Sequence, residues 1–100
     1  MVKILIKRCF KKGKTKEILS LLNEFRAGAL NMTGYISGLT MISHDDHRVM
    51  LVIGTWEKME HWNRWKENPA RKTFEKMLEI YQEEPTIYEE YIVGTSLSNE

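Results

Sequence analysis

The sequence predicts an α+β fold in which the elements follow the order strand, helix, strand, strand, helix, strand. Four segments carry apolar residues on alternating positions, which is the period of a β-strand. Two other segments carry apolar residues at helical spacing, and Gly, Asn or Pro lies near their ends. Two βαβ halves with right-handed crossovers give a four-stranded antiparallel sheet with both helices on one face, the ferredoxin-like arrangement. We expect a single domain over residues 2–94 and a flexible C-terminal tail over residues 95–100.

The first half of the chain is predicted to form a strand, a helix and a hairpin. Val2–Phe10 alternates between apolar and charged residues, as a half-buried strand does. Thr15 is expected to cap a helix whose apolar stripe extends to Leu30. Tyr35–Ser43 and Val49–Trp56 are the next two strands, and the polar loop between them suits a hairpin.

The second half is predicted to form a split helix and a final strand. Lys58–Lys66 gives a first helical segment, and Asn68 with Pro69 restarts the helix. Asn is a favoured N-cap, and Pro fits the first helical position because its missing N–H has no partner there. Pro85 ends the helical region, and Thr86–Val93 is the fourth strand.

The predicted strands are apolar on both faces, although helices can cover only one. On the second strand Tyr35, Leu39 and Met41 are expected to share a face, opposite Ile36 and Ile42. Burying apolar surface contributes about 25 cal/mol per Å² to stability. A sheet face with several hundred Å² of apolar surface left in water therefore loses on the order of ten kcal/mol of stabilisation. A two-fold dimer that packs sheet against sheet is therefore the expected assembly. A monomer with apolar residues scattered over its surface is the alternative.

Composition excludes several classes of function. The chain has a net charge of +1 and lacks the excess of basic residues typical of a nucleic-acid-binding domain, so no nucleic-acid partner is expected. No apolar segment approaches the roughly 20 residues of a membrane span, so no membrane partner is expected either. The single cysteine, Cys9, and the lack of a signal-peptide pattern favour a reducing cytoplasm.

The aromatic residues cluster in the split-helix region. Trp62 and Trp65 lie three residues apart on one helix and share a face, and Trp56 precedes that helix. Core packing explains Trp56 and Trp62. Trp65 lies near the break between the two helical segments, where it either packs in the core or lines a pocket.

Few polar residues suggest catalysis or metal binding. His44 and His47 lie in the predicted hairpin loop and lack a third ligand, so solvated residues are expected there and no metal site. His61 is either a surface residue or part of a pocket wall. Arg71, in the first turn after Pro69, either faces solvent or reaches an anionic oxygen of a ligand.

Several stretches together resemble one known family. They are Lys12–Glu17 before the first helix, Thr33–Tyr35 at the second strand, Trp56–Trp65, Asn68-Pro69 and Phe74. Over residues 2–94 the chain resembles the antibiotic biosynthesis monooxygenase superfamily of dimeric α/β barrels. The resemblance implies a fold but no single reaction, because members include cofactor-free monooxygenases, quinol oxygenases, haem-degrading enzymes and proteins without known activity.

The haem-degrading branch of that family fits poorly. It needs an Asn on the first strand, a Trp on the second helical segment and a His as axial ligand. Trp65 matches the tryptophan, but the Asn position falls at Ile6 or Lys7 and the ligand position at Glu75. No His follows His61, so haem iron would lack its proximal ligand.

The resemblance therefore implies an oxygenase without a cofactor, acting on a small phenol or quinol. Trp62, Trp65 and Phe74 would form the walls, and Arg71 or His61 would stabilise a developing oxyanion, with His61 as the possible base. Many relatives carry His where Arg71 stands, which leaves proton transfer at that position open. The alternative function is a non-catalytic dimeric barrel that binds a small hydrophobic ligand in a stress or regulatory role.

Overall fold

The computed structural model describes residues 1–97. Four strands form one antiparallel sheet in the order β2-β3-β1-β4, as the ferredoxin-like arrangement requires. The prediction of an α+β fold with that element order is confirmed. The elements are β1 (Val2–Cys9), α1 (Thr15–Ala29), β2 (Tyr35–Ile42), β3 (Val49–Trp56), α2 (Met59–Lys66), α3 (Pro69–Glu79), β4 (Ile87–Ile92) and α4 (Gly94–Leu97).

The core lies between the sheet and helices α1 to α3. The even-numbered residues of β1 face the helices and are buried, whereas the odd-numbered residues are exposed or half-buried. One face of α1 meets them with Ile18, Leu21, Leu22 and Phe25. Burying such a stripe stabilises both elements, because each large apolar side chain contributes about 1.5–3 kcal/mol when it leaves water.

The helix ends follow the predicted capping in one case and not in another. Asn68 Oδ1 accepts a hydrogen bond of 2.8 Å from the backbone N–H of Ala70, and Pro69 opens α3, as predicted. The prediction that Thr15 is an N-cap is wrong by one residue. Thr15 is the first helical residue, and Lys14 holds the cap position without a side-chain hydrogen bond. Leu30 lies beyond the end of α1 and is exposed.

A β-bulge corrects the predicted faces of β2. Tyr35 pairs with Trp56, but Ser37 pairs with the adjacent Thr55, so Ile36 is an extra residue on β2. The extra residue turns Tyr35 toward the helices and leaves Leu39 on the opposite face. Tyr35 and Leu39 therefore do not share a face, because alternation counted along a strand is shifted by one residue at a bulge.

The helix-free face of the sheet is rich in exposed apolar side chains. Leu39 and Met41 on β2 and Ile87 and Tyr91 on β4 are each more than two-fifths exposed. Their register partners place them on the side away from the helices. The predicted two-sided apolar character of the sheet is thus present in the single subunit.

An ion pair between Asp46 and Arg48 holds the hairpin loop between β2 and β3. The Asp46 carboxylate accepts hydrogen bonds from the backbone N–H and the guanidinium of Arg48, at 2.9 to 3.1 Å. These bonds lower the pKa of Asp46 to about 2. His44 and His47 are exposed in this loop. Among residues 1–97, no group of three His, Cys, Asp or Glu side chains converges as a metal site would require.

The C-terminal segment begins with a short helix. Gly94–Leu97 forms α4 one residue after β4, so residues 95–97 of the segment expected to be a flexible tail are helical. The rest of that predicted tail, residues 98–100, lies outside the described residues. Over residues 1–97, no helix has the length and hydropathy to cross a membrane.

Candidate functional site

A cavity lies between the helix-facing side of the sheet and helices α1, α2 and α3. Its walls are largely aromatic and aliphatic, and three arginines line it: Arg8 from β1, Arg26 from α1 and Arg71 from α3. The lining residues are Ile4, Ile6, Arg8, Leu22, Phe25, Arg26, Ala29, Tyr35, Gly38, Leu39, Thr40, Val52, Gly54, Trp56, Trp62, Trp65 and Arg71.

Three charged side chains are buried beside this cavity. Arg8 and Arg71 are each 3% exposed, and Glu75 is 8% exposed. One oxygen of Glu75, Oε1, binds both guanidinium groups: Nη2 of Arg8 donates a short hydrogen bond to it, and Nη2 of Arg71 lies 3.4 Å away. Two buried positive charges thus share one negative charge, which leaves the cluster with an excess of one positive charge.

The guanidinium groups are not fully hydrogen-bonded. Nη2 of Arg71 also donates to the Tyr88 hydroxyl at 3.0 Å. The Nε atoms of Arg8 and Arg71 are buried, and within residues 1–97 neither has a hydrogen-bond partner. A buried donor without an acceptor is costly, and in functional sites such a donor is commonly satisfied by a ligand. The cluster therefore has both the charge and the free donors to bind an anion.

Aromatic rings surround the guanidinium of Arg71. Its Cζ atom lies 5.3 Å from the centre of the Phe25 ring, 5.0 Å from that of Trp62 and 5.4 Å from that of Tyr88. Cation–π attraction partly offsets the loss of hydration when the guanidinium is buried. Burial raises the pKa of the Tyr88 phenol above its ordinary value, although the neighbouring Arg71 opposes that effect. Tyr88 is therefore a neutral hydroxyl at neutral pH.

The two helix-borne tryptophans are held by different contacts. The indole N–H of Trp62 donates a short hydrogen bond to Glu90 of β4, which fixes the ring beside the cavity. Trp65 packs edge-on against Phe25 with ring centres 6.1 Å apart. Its indole ring also packs against helix α1 at Gly28, where an added β-carbon would be 3.0 Å from the ring. Gly28 thus permits the close approach of the two helices.

The structure brings together most of the residues that the sequence suggested for the site. Trp62, Trp65 and Arg71 line the cavity. Phe74 does not line it but stacks on the cavity residue Phe25, with ring centres 5.2 Å apart and planes inclined by 23°.

His61 lies elsewhere. It packs on the backbone at Gly34, where an added β-carbon would be 2.2 Å from its Nδ1 atom, and it is not among the cavity residues. Gly34 has a φ of +84°, a conformation that glycine adopts without strain, so glycine is favoured there on two grounds.

Three residues of the site were not found from the sequence. Arg8 continues the even-numbered face of β1, so its position in an otherwise apolar stripe was a usable signal. Glu75 follows Arg71 by four residues, the spacing of an ion pair on one helix face. The alternation of apolar residues along β2 places Tyr35 on the helix-free face, because alternation does not reveal the bulge at Ile36. In the comparison with haem-degrading relatives Glu75 stood at the axial-ligand position, and here its carboxylate is bound by two arginines.

The cavity is small as it stands. Its volume is about 70 Å³. A cavity of about 150 Å³ is enough for benzene in another protein, so an aromatic ring enters here only if a wall moves. The site therefore combines an excess positive charge with aromatic walls and needs a local rearrangement to accept a ring.

Sequence comparison assigns the chain to a family. The family model described as antibiotic biosynthesis monooxygenase matches residues 1–77, which is most of the chain and includes every residue that lines the cavity. The chain belongs to the antibiotic biosynthesis monooxygenase family. No curated protein matches it in sequence.

Several solved structures share the fold of the chain. A putative antibiotic biosynthesis monooxygenase from Nitrosomonas europaea is 15% identical, with a TM-score of 0.84 over 94% of this chain and 99% of that one. SnoaB, a cofactor-independent oxygenase from Streptomyces nogalater, is 13% identical, with a TM-score of 0.80 over 92% of both chains. A conserved protein from Methanosarcina mazei Go1 is 14% identical, with a TM-score of 0.83 over 90% and 89% of the two chains. At these identities the likeness establishes the fold alone.

Proposed function

We propose that the chain is an oxygenase that binds a small phenol or quinol as its anion in the cavity and needs no cofactor. Membership of the antibiotic biosynthesis monooxygenase family supports the reaction class. One structural similarity is to SnoaB, which is described as a cofactor-independent oxygenase. The observation that carries the proposal is the buried pair Arg8 and Arg71, which shares the single carboxylate of Glu75 at an aromatic cavity.

The excess positive charge determines which form of the substrate binds. Burial alone favours the neutral phenol, because an anion loses its hydration. A guanidinium within hydrogen-bond distance favours the phenolate, and charge-assisted hydrogen bonds are roughly twice as strong as neutral ones. With two guanidinium groups and one carboxylate, the phenolate neutralises the cluster. The site therefore promotes ionisation of the substrate.

The ionised substrate supplies the electrons of the reaction. A phenolate passes one electron to O2, and the resulting superoxide and phenoxyl radical combine to form a C–O bond at a ring carbon that is ortho or para to the hydroxyl and carries a hydrogen. Protonation of the peroxide and loss of water then break the O–O bond and leave a quinone. One oxygen atom enters the quinone and the other enters water, whose two protons come from the substrate hydroxyl and the ring C–H. The protein binds, desolvates and orients the reactants.

The side chains divide these tasks. Arg71 and Arg8 hold the anion, and Trp62 and Trp65 exclude water and fix the plane of the ring. Phe74 supports the wall from behind through its stacking on Phe25. We assign no proton transfer to His61, since it packs on Gly34 outside the cavity lining. The phenol proton passes to solvent once the guanidinium groups have lowered its pKa.

Oxygen uptake tests the proposal directly. The purified protein is mixed with phenols and quinols of one to three rings, and dissolved O2 is followed with an electrode. We expect consumption of one O2 per substrate and a quinone absorption band, without added metal or flavin. The Trp65→Phe variant is expected to consume oxygen at least several-fold more slowly, because the ring plane is less constrained.

The alternative function predicts a different outcome of the same experiment. A non-catalytic barrel would show ligand-dependent quenching of tryptophan fluorescence but no oxygen uptake with any member of the panel. That result would contradict the proposed oxygenase and support the small-ligand binder. A shift of the haem absorption band on titration would instead favour haem chemistry, which the ion-paired Glu75 makes unfavourable.

We further propose that two subunits pack through the helix-free faces of their sheets. Leu39, Met41, Ile87 and Tyr91 form an exposed apolar surface on this face. The solvent-facing side of an antiparallel sheet normally carries more polar side chains than this face does. A second copy of the chain covers it in the simplest symmetric way.

A charge placed on this face tests the dimer. We expect Leu39→Glu to convert the dimer to a monomer, because two like charges would be buried near the two-fold interface. Light scattering at micromolar concentration measures the mass. Met77→Glu, which changes an exposed side chain on α3, is the matched control and should leave the dimer intact. A wild-type protein that is monomeric in this experiment would contradict the proposed assembly.

A reducing compartment, the cytoplasm, is the proposed location. Cys9 is a free, half-buried thiol, and the chain contains no second cysteine with which it could form an internal disulfide. Free thiols are stable in the cytoplasm, whereas secreted domains of this size commonly rely on disulfides.

A further inference from the structure

The helix-facing side of the sheet has one place without side chains. Gly38 of β2 and Gly54 of β3 are direct register partners, and both line the cavity. Neighbouring pairs on the same face carry side chains, including Tyr35 with Trp56. We call Gly38 and Gly54 the glycine floor. Glycine within a strand often marks a position where a ligand or another group approaches the backbone closely.

In the present conformation Tyr35 covers the Gly38 side of the glycine floor. A β-carbon added to Gly38 would lie 2.4 Å from the Tyr35 hydroxyl oxygen, so the end of the ring lies directly on the Gly38 backbone. The bulge at Ile36 is what turns Tyr35 to this side of the sheet. The side chain of Arg26 also approaches Gly38, with Nε 3.6 Å from the added β-carbon.

Few contacts hold the Tyr35 ring in this position. Its hydroxyl oxygen is buried and, among residues 1–97, has no hydrogen-bond partner. A buried hydroxyl without a partner is unfavourable, so movement of the ring to solvent restores lost hydrogen bonds. The ring makes an edge contact with Trp56, with centres 5.2 Å apart. The residue as a whole is only half-buried.

The other walls of the cavity are held more firmly. Trp56 is 1% exposed and Trp65 is 4% exposed, and both are part of the core. Trp62 is 1% exposed and its indole is hydrogen-bonded to Glu90. A cavity of about 70 Å³ is too small for an aromatic ring, so a wall must move. Tyr35 and Arg26 are the lining residues at Gly38 that are not fully buried, and Tyr35 is the one whose ring lies on the Gly38 backbone.

We propose that Tyr35 determines the size of ring that the cavity accepts. Its phenol ring occupies the space above the glycine floor, and a flat fused ring system takes that space when Tyr35 rotates away. The preferred ligands are thus planar phenols of two or three fused rings, which lie against Gly38 and Gly54 with the oxygen directed toward the arginines. The identification of the ligand as a phenol rests on the proposed function, whereas the ring site itself follows from packing.

Binding measurements with ring systems of increasing size test this proposal. Dissociation constants for phenol, 2-naphthol and a hydroxyanthracene are obtained from quenching of tryptophan fluorescence. We expect Tyr35→Ala to bind the three-ring ligand at least tenfold more tightly than the wild type, since no ring has to be displaced. The same variant should also bind phenol more tightly, but by a smaller factor, because a single ring displaces less of the Tyr35 side chain. Tyr35→Phe keeps the ring and removes the unpaired hydroxyl, so it should bind the three-ring ligand no more tightly than the wild type.

Gly54→Ala provides a second variant that does not touch Tyr35. An added β-carbon at Gly54 meets only Trp56 Nε1, at 3.4 Å, and Trp56 Cδ1, at 3.9 Å, so the variant should fold with unchanged thermal stability. The added methyl group occupies part of the space next to the Gly38 and Gly54 backbone. We therefore expect at least tenfold weaker binding of two- and three-ring ligands. Equal affinities for the wild type, Tyr35→Ala and Gly54→Ala would overturn the proposal. Binding without oxygen uptake would contradict only the proposed oxygenase, because the affinities do not depend on turnover.

Discussion

Replacing Glu75 by Gln should lower the free energy of unfolding by about 3–5 kcal/mol, the usual cost of removing one partner from a buried ion pair. Glu75 is the carboxylate that accepts hydrogen bonds from both Arg8 and Arg71. Both arginines are 3% exposed, so the variant would leave two like charges buried without a counter-ion. Urea denaturation followed by tryptophan fluorescence measures the change.

A surface carboxylate and a double variant serve as controls. Glu67 forms an exposed ion pair with Lys72, and Glu67→Gln should leave the unfolding midpoint unchanged. Adding Arg71→Met to Glu75→Gln removes one of the two uncompensated charges and should recover part of the lost stability. A Glu75→Gln variant as stable as the wild type would show that the cluster is hydrated and not buried as described.

Arg71→Met should lower kcat/KM for oxygen consumption by about 10²–10³-fold, the effect of removing one donor to a developing oxyanion. Arg71 lines the cavity, and its buried Nε atom has no hydrogen-bond partner among the described residues, so a small movement of the side chain makes this donor available to a substrate. Stability should be unchanged or slightly higher, because the remaining Arg8–Glu75 pair is electrically neutral. Loss of activity without loss of stability separates a role in binding the anion from a structural role.

Two further variants sharpen this test. Arg71→Lys keeps the charge but loses the planar arrangement of donors, so we expect an intermediate loss of activity. Lys66 is a nearby cation, with Nζ 5.7 Å from the centre of the Tyr88 ring, that does not line the cavity. Lys66→Met should therefore retain nearly full activity. Equal losses for Lys66→Met and Arg71→Met would point to a diffuse electrostatic effect in place of a specific anion site.

The fold could be predicted from the sequence because its local signals agree with one another. The alternation along β1, the apolar stripe of α1 and the Asn68-Pro69 start of α3 each specify one element, and all appear in the structure. The bulge at Ile36 could not be predicted, because it inserts one residue without a change in composition. Its consequence for the site is large, since it directs Tyr35 into the cavity.

The candidate site could be predicted only in part. The tryptophans on α2 and Arg71 stood out as unusual residues near a helix break, and these three line the cavity. The charge cluster depends on a contact between Arg8 and Glu75, which are 67 residues apart in sequence, and no local pattern indicates which distant groups meet. The same limit applies to His61, whose neighbour across the fold is the Gly34 backbone.

The proposed function requires the cavity to bind the ionised form of an aromatic hydroxyl group. A nitro-substituted naphthol, whose anion absorbs at a longer wavelength than the neutral form, reports its own ionisation when it is titrated with pH in the presence of excess protein. Two guanidinium groups beside the hydroxyl should lower the pKa of the bound probe by at least about one unit, which is a tenfold preference for the anion. A bound probe whose pKa is unchanged or raised would show that desolvation outweighs the arginines, and would contradict the proposed site.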